Sequence, residues 1–552
     1  MRKGEAMSRA THTVFNQSTP LADVNLFSGN RALADALHFH DAGFNSARLA
    51  ALGAEMGSAV MQQHARLANA FPPQLKSHDR FGRRIDQVEF HPSYHVLMSA
   101  ALRHGLHGTP WSAGAGAHIE RAAAFLLFTE CEPSVLCPVS MSYAVTPALR
   151  ANMAIHSDWF PGLASRSYDE RFLPFDRKNG LTMGMGMTEK QGGSDVRANT
   201  TRAEFDGDDA WGRRYRVTGH KWFLSAPMCD AFLILAQTSG GLSCLFLPRI
   251  LPDGTVNALA IQRLKHKLGN HANASSEVEF EAASAWLVGD EGRGVAQILA
   301  MGAITRLDCA LGTAGLMRHA LSLALHHARQ REAFGKRLVE QPLMKNVLAD
   351  LAIESEAATA LALRLARAVD RCEAGQDASG HEAAMRRLLT PIAKFWICKR
   401  GSHFAQEAME CLGGNGYVEE QGEGVMARIY REMPLNSIWE GAGNIMALDL
   451  LRTLRDPAAG AALEHELEPA RQAHPAFDRR RDLVLRAVGG ITEEVEARRL
   501  ARDLALLLQA TLLRQHSSDA VFAAFCASRF DTADVFGLLP AGVGLDAILE
   551  RA

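Results

Sequence analysis

A chain of 552 residues, 47% of them hydrophobic and 22% charged, has room for about two to four domains, each able to bury a core. Its formal net charge of -2 excludes a globally basic nucleic-acid binder and a protein held to an anionic membrane by overall charge. Nine cysteines without a Cys-x-x-Cys pair speak against a disulfide framework or a zinc site and fit reduced thiols in a cytoplasmic protein.

Residues 1–30 are polar and irregular and read as an arm that needs another surface for order. Arg2, Lys3 and Arg9 lack the apolar core of a secretory signal, and Met7 offers an alternative start to Met1. Helical spacing dominates 31–182, broken at Phe71-Pro72-Pro73, His91-Pro92 and Cys137-Pro138, with an Ala-rich buried helix at 121–128. Near residue 180 the texture changes. Short strands are expected at 215–223, 232–236, 245–248 and 276–280, with turns at Asp206-Gly207-Asp208, Ser239-Gly240-Gly241 and Pro252-Asp253-Gly254. They predict a small antiparallel β domain over 183–290. Long helical patterns at 311–327, 343–370 and 384–412 then predict a helical bundle over 291–455. Asp456-Pro457-Ala458-Ala459-Gly460 reads as a linker to an extra helical domain, 456–552, with its main helix at 491–513. No run reads as a bilayer span. The fold class is α+β.

Chemistry gathers in a few runs. Asn436-Ser437-Ile438-Trp439-Glu440-Gly441-Ala442-Gly443-Asn444-Ile445 sets one carboxylate between an apolar pair and a glycine turn, ahead of a helix. Gly441 and Gly443 permit a tight bend or the close approach of a ligand. Beside a Trp439 wall Glu440 suits proton abstraction, because apolar surroundings raise a carboxyl pKa. The plain alternative is a loop glutamate favoured by the positive end of the following helix. Met185-Gly186-Met187-Thr188-Glu189-Lys190-Gln191-Gly192-Gly193-Ser194-Asp195-Val196 offers backbone N–H groups and short hydroxyls to a phosphate or a ring edge. It matches neither the dinucleotide fingerprint nor the P-loop, and Gly-Gly-Ser is also an ordinary loop. Trp222-Phe223-Leu224-Ser225 places rings and a hydroxyl on one strand, as core or as cofactor wall. Arg329-Gln330-Arg331-Glu332-Ala333-Phe334-Gly335-Lys336 reads as a helix end with Gly335 as its stop, and Arg331 and Phe334 on one face could meet a pyrophosphate and a ring. Cys411-Leu412-Gly413-Gly414-Asn415-Gly416-Tyr417 is a second glycine-rich helix exit.

In their order and spacing, the Thr188-Glu189 to Ser194-Asp195 loop, the Lys221-Trp222-Phe223 strand, Arg331-x-x-Phe334-Gly335-Lys336, 412–417 and Ile438-Trp439-Glu440-Gly441 resemble the acyl-CoA dehydrogenase family over about 31–455. Thr11-His12-Thr13-Val14-Phe15-Asn16-Gln17, the 187–196 loop and 431–440 resemble its AidB-like branch, which belongs to the bacterial response to DNA alkylation and adds a C-terminal domain. The resemblance implies FAD, with Glu440 as the base that takes the α-proton of an acyl-CoA while the β-hydrogen leaves as hydride to flavin N5. It implies flavin contacts at Met187, Thr188, Gly193, Ser194, Phe223, Leu224 and Ser225, and further cofactor contacts at Gly414, Ile438, Trp439, Gly441 and Asn444. Arg331 and Phe334 match positions that reach the FAD of a neighbouring subunit, which implies a homotetramer. Two positions depart from the family: Glu410 where Gln is frequent and Ala442 where Thr is frequent, removing a neutral donor and a hydroxyl from the cofactor shell.

The branch's C-terminal domain is associated with double-stranded DNA. Residues 452–552 hold 13 arginines, no lysine and 15 acidic residues, so DNA binding requires the arginines to segregate onto one face. Arg452, Arg455 and Arg479-Arg480-Arg481 are the candidates, with Arg498-Arg499-x-x-Arg502 nearby; the alternative is a solvated surface of mixed charge. Two functions are therefore expected from the resemblance: an FAD enzyme, slow on short or branched acyl-CoAs, or a DNA-protecting protein whose flavin is chiefly structural or acts on an unknown substrate.

Overall fold

Asparagine and serine side chains start the first helices. Asn30, Asn45, Ser58 and Asn152 each accept a hydrogen bond from the backbone N–H three residues on, satisfying a donor the helix leaves free. The computed structural model describes residues 11–41, 43–490, 493–530, 539 and 542–552. Met1, Arg2, Lys3, Met7, Arg9 and the expected helix start at Ile491 lie outside them. After the arm come α1 (Arg31–His40), α2 (Ser46–Met56), α3 (Ala59–Ala70), β1 (Gln74–His78), β2 (Arg84–Glu89), α4 (Pro92–Arg103), α5 (Ala117–Cys131), α6 (Leu136–Leu149) and α7 (Met153–Ala164). The β1–β2 hairpin corrects the purely helical expectation for this part. Pro72 and Pro73 end α3, and the strands that follow are polar and largely exposed, so no apolar alternation reveals them.

The middle of the chain holds β3 (Met183–Gly186), β4 (Arg202–Asp209), β5 (Gly212–Ser225), β6 (Ala231–Thr238), β7 (Gly241–Pro248), β8 (Leu259–Leu264) and β9 (Ser275–Leu287). They form one sheet in the order β3-β6-β4-β5-β9-β7, and a β6–β7 pairing closes it on itself, with β8 added on β9. Closure removes edges that would otherwise pair with another chain. Pairing is antiparallel except where β6 meets β3 and β4. Residues 231–236 of β6 are buried in succession, as expected of a strand covered on both faces.

The bundle consists of α8 (Gly294–Gln330), β10 (Glu332–Ala333), β11 (Lys336–Arg337), α9 (Pro342–Glu373), α10 (His381–Cys411), α11 (Gly414–Tyr417), α12 (Val425–Ile438) and α13 (Gly443–Thr453). Its axis is α8, 37 residues long, packed against α5, α6, α9, α10 and α12. A side chain at Gly315 would strike the Leu126 carbonyl at 2.6 Å, so glycine sets how closely α8 approaches α5. By length and composition α8 could cross a bilayer, which corrects the expectation of no such run. Most of its apolar window is buried in the bundle, and buried Asp308 on α8 pairs with buried Arg121 on α5.

The chain ends in α14 (Pro457–Leu467), α15 (Pro475–Gly489), α16 (Ala497–His516), α17 (Asp519–Arg529) and α18 (Leu545–Leu549). The expected linker at 456–460 is instead a helix start: Asp456 caps α14 by accepting from the Ala458 N–H at 3.0 Å, and Pro457 takes the first helical position. The last five helices are bolted to the bundle. Helix α16 packs on α9, α10 and α13. Arg529 pairs with Asp350 at 2.6 Å and Glu354 at 3.0 Å, and Arg364 pairs with Glu466 at 2.6 Å.

Candidate active site

Two buried charges shape the loop between β3 and β4. Glu189 and Lys221 meet at 2.8 Å with both side chains fully buried. The carboxylate also accepts from the Thr200 N–H at 2.7 Å, the Thr201 N–H at 3.1 Å and the Gln191 amide at 2.8 Å. Lys221 donates in addition to the Leu235 carbonyl at 2.8 Å. Burial raises the Glu189 carboxyl, but the Lys221 ammonium and the hydrogen bonds from Thr201 and Thr200 outweigh it and hold the group well below the usual carboxylate range. The pair is a strut joining the loop to β5 and β6. The sequence shows both residues but not their pairing, for which a Thr-Glu ahead of a strand lysine is the signal.

Above the strut, Thr188 and Met187 are half-buried while Gly193 and Ser194 are exposed. A Cβ on Gly193 would lie 2.4 Å from the Thr188 hydroxyl oxygen, so only glycine lets the loop fold over that threonine. Among the described residues, neither the Thr188 nor the Ser194 hydroxyl is claimed by another group of the chain. On β5, the Trp222 ring is already occupied by Lys265, whose Nζ sits 3.2 Å from the ring centroid. Phe223 is 46% exposed, with the same Lys265 Nζ 4.8 Å from its ring centroid. The Leu224 side chain is fully buried, where Gly186 leaves it room, which leaves its backbone to meet a ligand. Ser225 lies beside Ser275 at 3.2 Å.

Glu440 lies in the turn between α12 and α13 with φ of 61°, a left-handed conformation uncommon for a residue with a side chain. Two cations hold the turn. Arg306 on α8 donates from Nε to the Glu440 carbonyl at 2.9 Å, and Lys394 on α10 donates to the Gly441 carbonyl. Arg306 is itself fixed by Asp449 at 3.1 Å, which also takes Arg387 at 2.6 Å. Held this way, the carboxylate points at α8 and accepts from the Thr305 hydroxyl at 2.7 Å. No side chain caps α13, so the plain reading of Glu440 as a helix-start acid does not describe the geometry. Burial pushes the Glu440 pKa up, partly offset by the Thr305 hydrogen bond and the charges of Arg306 and Lys394. The Trp439 indole donates to Asn436 at 3.0 Å, and Asn436 donates to Thr313 at 3.1 Å, so the neighbouring ring is fixed too. Ile438 stands 62% exposed at the rim.

Burial pushes the thiol of Cys137, on α6, up to about 12; the charge of Lys267 opposes the rise and that of Glu440 adds to it. Thr305, Arg306, Lys394 and Cys137 carried no signal in the sequence beyond their place on helices.

Arg331 and Phe334 lie on the β10–β11 hairpin rather than at a glycine-stopped helix end: α8 stops at Gln330, and Gly335 is the hairpin turn. The arm is fastened here. Arg331 donates to the Asn16 carbonyl, and Asn16 exchanges two hydrogen bonds with Glu332 at 2.9 and 2.8 Å. Asn415, next to exposed Gly414, donates to Gln17 at 3.2 Å. The Phe334 ring is 99% exposed, and no described residue covers it. Glu410 is exposed, near Gln406 at 3.4 Å. Asn444 accepts from Arg498 of α16 at 2.9 Å.

The arginine triplet is engaged within the tail. Arg480 pairs with Asp503 at 3.2 Å, and Arg481 with Asp482 at 3.3 Å and Glu468 at 3.8 Å; Arg479 is engaged as well. Arg480 and Arg481 thus pair with acids of the tail itself. Arg452 and Arg455 are exposed and have no carboxylate partner among the described residues.

Known families match the chain in three stretches: the adaptive response protein AidB N-terminal domain over 16–170, the acyl-CoA dehydrogenase middle domain over 184–283 and the acyl-CoA dehydrogenase C-terminal domain over 292–454. "Putative acyl-CoA dehydrogenase AidB" of Escherichia coli (strain K12) is 52% identical over 451 residues, 81% of either chain. Among solved structures, the apo-form of Bd2924 superposes with a TM-score of 0.83 at 30% identity, covering 92% of this chain and 100% of that one. Caenorhabditis elegans ACDH-11 in complex with C11-CoA gives a TM-score of 0.83 at 26% identity, covering 97% and 96%.

Proposed function

This chain belongs to the acyl-CoA dehydrogenase family, on its AidB branch, and from that premise we propose that it oxidises an acyl-CoA thioester with Glu440 as the base that takes the α-proton. FAD is its cofactor. The residues present fit that group: the unclaimed Thr188 and Ser194 hydroxyls, the exposed Phe223 ring and the Cβ-free Gly193 suit a flat ring with polar edges. When bound, FAD supplies the acceptor for the β-hydride, and the protein supplies placement and polarity.

The observation that carries the reading is the Glu440 carboxylate, aimed at α8 by an unusual backbone conformation and held by one hydroxyl. Thr305 fixes Oε2 and leaves Oε1 for the substrate. Burial makes the carboxylate a stronger base than an exposed glutamate. Arg306 and Lys394 grip the carbonyls on either side of the turn, so the acid cannot swing out. Trp439 closes the space beside it. The Glu189–Lys221 strut holds the hydroxyl-bearing loop.

The C11-CoA held by the C. elegans neighbour supports a thioester as the ligand class. Short and branched acyl groups are the first to try, and the loss of a hydroxyl at Ala442 argues for slow turnover. The wholly exposed Phe334 supports contact with a second copy and a homotetramer. Likeness of residues 16–170 to the adaptive response protein supports a place in the response to DNA alkylation. A second reading, a protective role at double-stranded DNA with a structural flavin, is favoured by exposed, unpaired Arg452 and Arg455. Its test is duplex binding that weakens with salt and with Arg452→Ala/Arg455→Ala.

The main reading is tested by anaerobic mixing of the flavin-loaded protein with a panel of acyl-CoAs. At least one thioester should bleach the flavin's visible absorbance, with the rate reduced about a hundredfold or more in Glu440→Gln. Bleaching by no thioester, or bleaching indifferent to Glu440→Gln, refutes it.

A further inference from the structure

The first turn of α13 is the wrong end of a helix for cations, yet three gather there. A helix N-terminus carries partial positive charge and exposes N–H groups. Here Ala442 gives no side-chain cap and the first turn holds no acid. Arg498, reaching across from α16, donates to Asn444 at 2.9 Å, with its guanidinium 5.6 Å from the Phe395 ring centroid. Lys399 of α10 packs over Gly443: a Cβ there would lie 2.8 Å from its Cε and 3.4 Å from its Nζ. Lys394, 1% exposed, has the neutral Gly441 carbonyl as its hydrogen-bond acceptor.

The acids of the neighbourhood are committed elsewhere. Asp449 is taken by Arg306 and Arg387. Glu440, whose charge reaches Lys394, is turned to Thr305. Arg498, Lys399 and Lys394 have no carboxylate within ion-pair distance among the described residues. Burial lowers the Lys399 pKa, and the charges of Arg498 and Lys394 lower it further, as expected of cations crowded together without a counter-charge. Arg499, the next residue on α16 and exposed like Arg498, is by contrast paired with Glu496.

We infer that Arg498, together with Lys399, forms the phosphate-binding end of the FAD site at the first turn of α13, so that the C-terminal domain supplies part of the cofactor's grip. The anion is a phosphate of the dinucleotide, because the turn that begins α13 is continuous with the Glu440 turn. An N-terminal helical turn flanked by arginine and lysine is suited to phosphate oxygens. The inference rests on the FAD reading above.

The test is FAD titration of flavin-stripped full-length protein, read by quenching of flavin fluorescence, with riboflavin as the phosphate-free probe. Arg498→Ala should weaken FAD binding about tenfold or more, the worth of one charge-assisted hydrogen bond, and leave riboflavin binding unchanged. Arg498→Lys should retain most of the affinity, Lys399→Ala should weaken FAD, and Arg499→Ala should match the parent. FAD affinity within twofold of the parent in Arg498→Ala overturns the inference, as does equal weakening for riboflavin and FAD. Weakened acyl-CoA binding with FAD unchanged also overturns it, by assigning the anion to the thioester's nucleotide. A parent protein that takes up no FAD removes the flavoprotein reading and the inference with it; uptake by the parent and by Arg498→Ala alike removes only the inference.

Discussion

Replacing Thr305 with valine removes the one side-chain hydrogen bond to the Glu440 carboxylate among the described residues, at 2.7 Å, while keeping the shape of the residue. A hydrogen bond to a charged acceptor contributes about 1.5–3 kcal/mol. The loss should therefore raise the Glu440 pKa further. The sign is fixed by what the hydroxyl does: it stabilises the charged form, and its absence adds to a rise that burial already causes. The base form of Glu440 is present above its pKa and lost as pH falls through it. The acidic limb of the pH profile for flavin reduction by a saturating thioester should therefore move upward in Thr305→Val and stay in place in Thr305→Ser. Rapid-mixing absorbance across the pH range measures it. A limb that stays put or moves down in Thr305→Val refutes the claim that this hydroxyl sets the basicity of Glu440.

Glu189→Gln leaves the fully buried Lys221 ammonium without its counter-charge, a change that costs about 3–5 kcal/mol. Differential scanning calorimetry should show a lowered unfolding temperature, and FAD should be released more readily as the 187–195 loop loosens; an unchanged melting profile contradicts the strut. Phe334→Ala removes a ring that is 99% exposed in the single chain and should leave monomer secondary structure intact. If the ring serves a second copy, light scattering will show smaller particles, FAD will bind more weakly, or both. Neither change would place Phe334 outside any interface.

What the sequence made legible was local. Gly441, Gly443 and Trp439 around one acid, and two glycines among hydroxyls at 187–195, are patterns contained within ten residues or so. The order of helical and β segments was legible for the same reason, since periodicity is a local property. Long-range pairing was not. Arg306 and Lys394 come from two other helices to hold the Glu440 turn, and helical spacing says only that such residues lie on some face. The β1–β2 hairpin was hidden by its polarity. Asp456-Pro457 was misread because turn residues and helix-start residues are the same residue types. The tail arginines looked available because their acidic partners, such as Asp503 for Arg480, lie on other helices. Nothing in the sequence around Arg498 points to Asn444.

A thioester bearing α-hydrogens but no β-hydrogen separates proton removal from hydride transfer. Nuclear magnetic resonance in heavy water, on flavin-loaded protein, then follows α-exchange alone. The parent should wash out the α-protons and Glu440→Gln should not, with FAD content equal in both. Exchange that persists undiminished in Glu440→Gln would show that another group takes the proton.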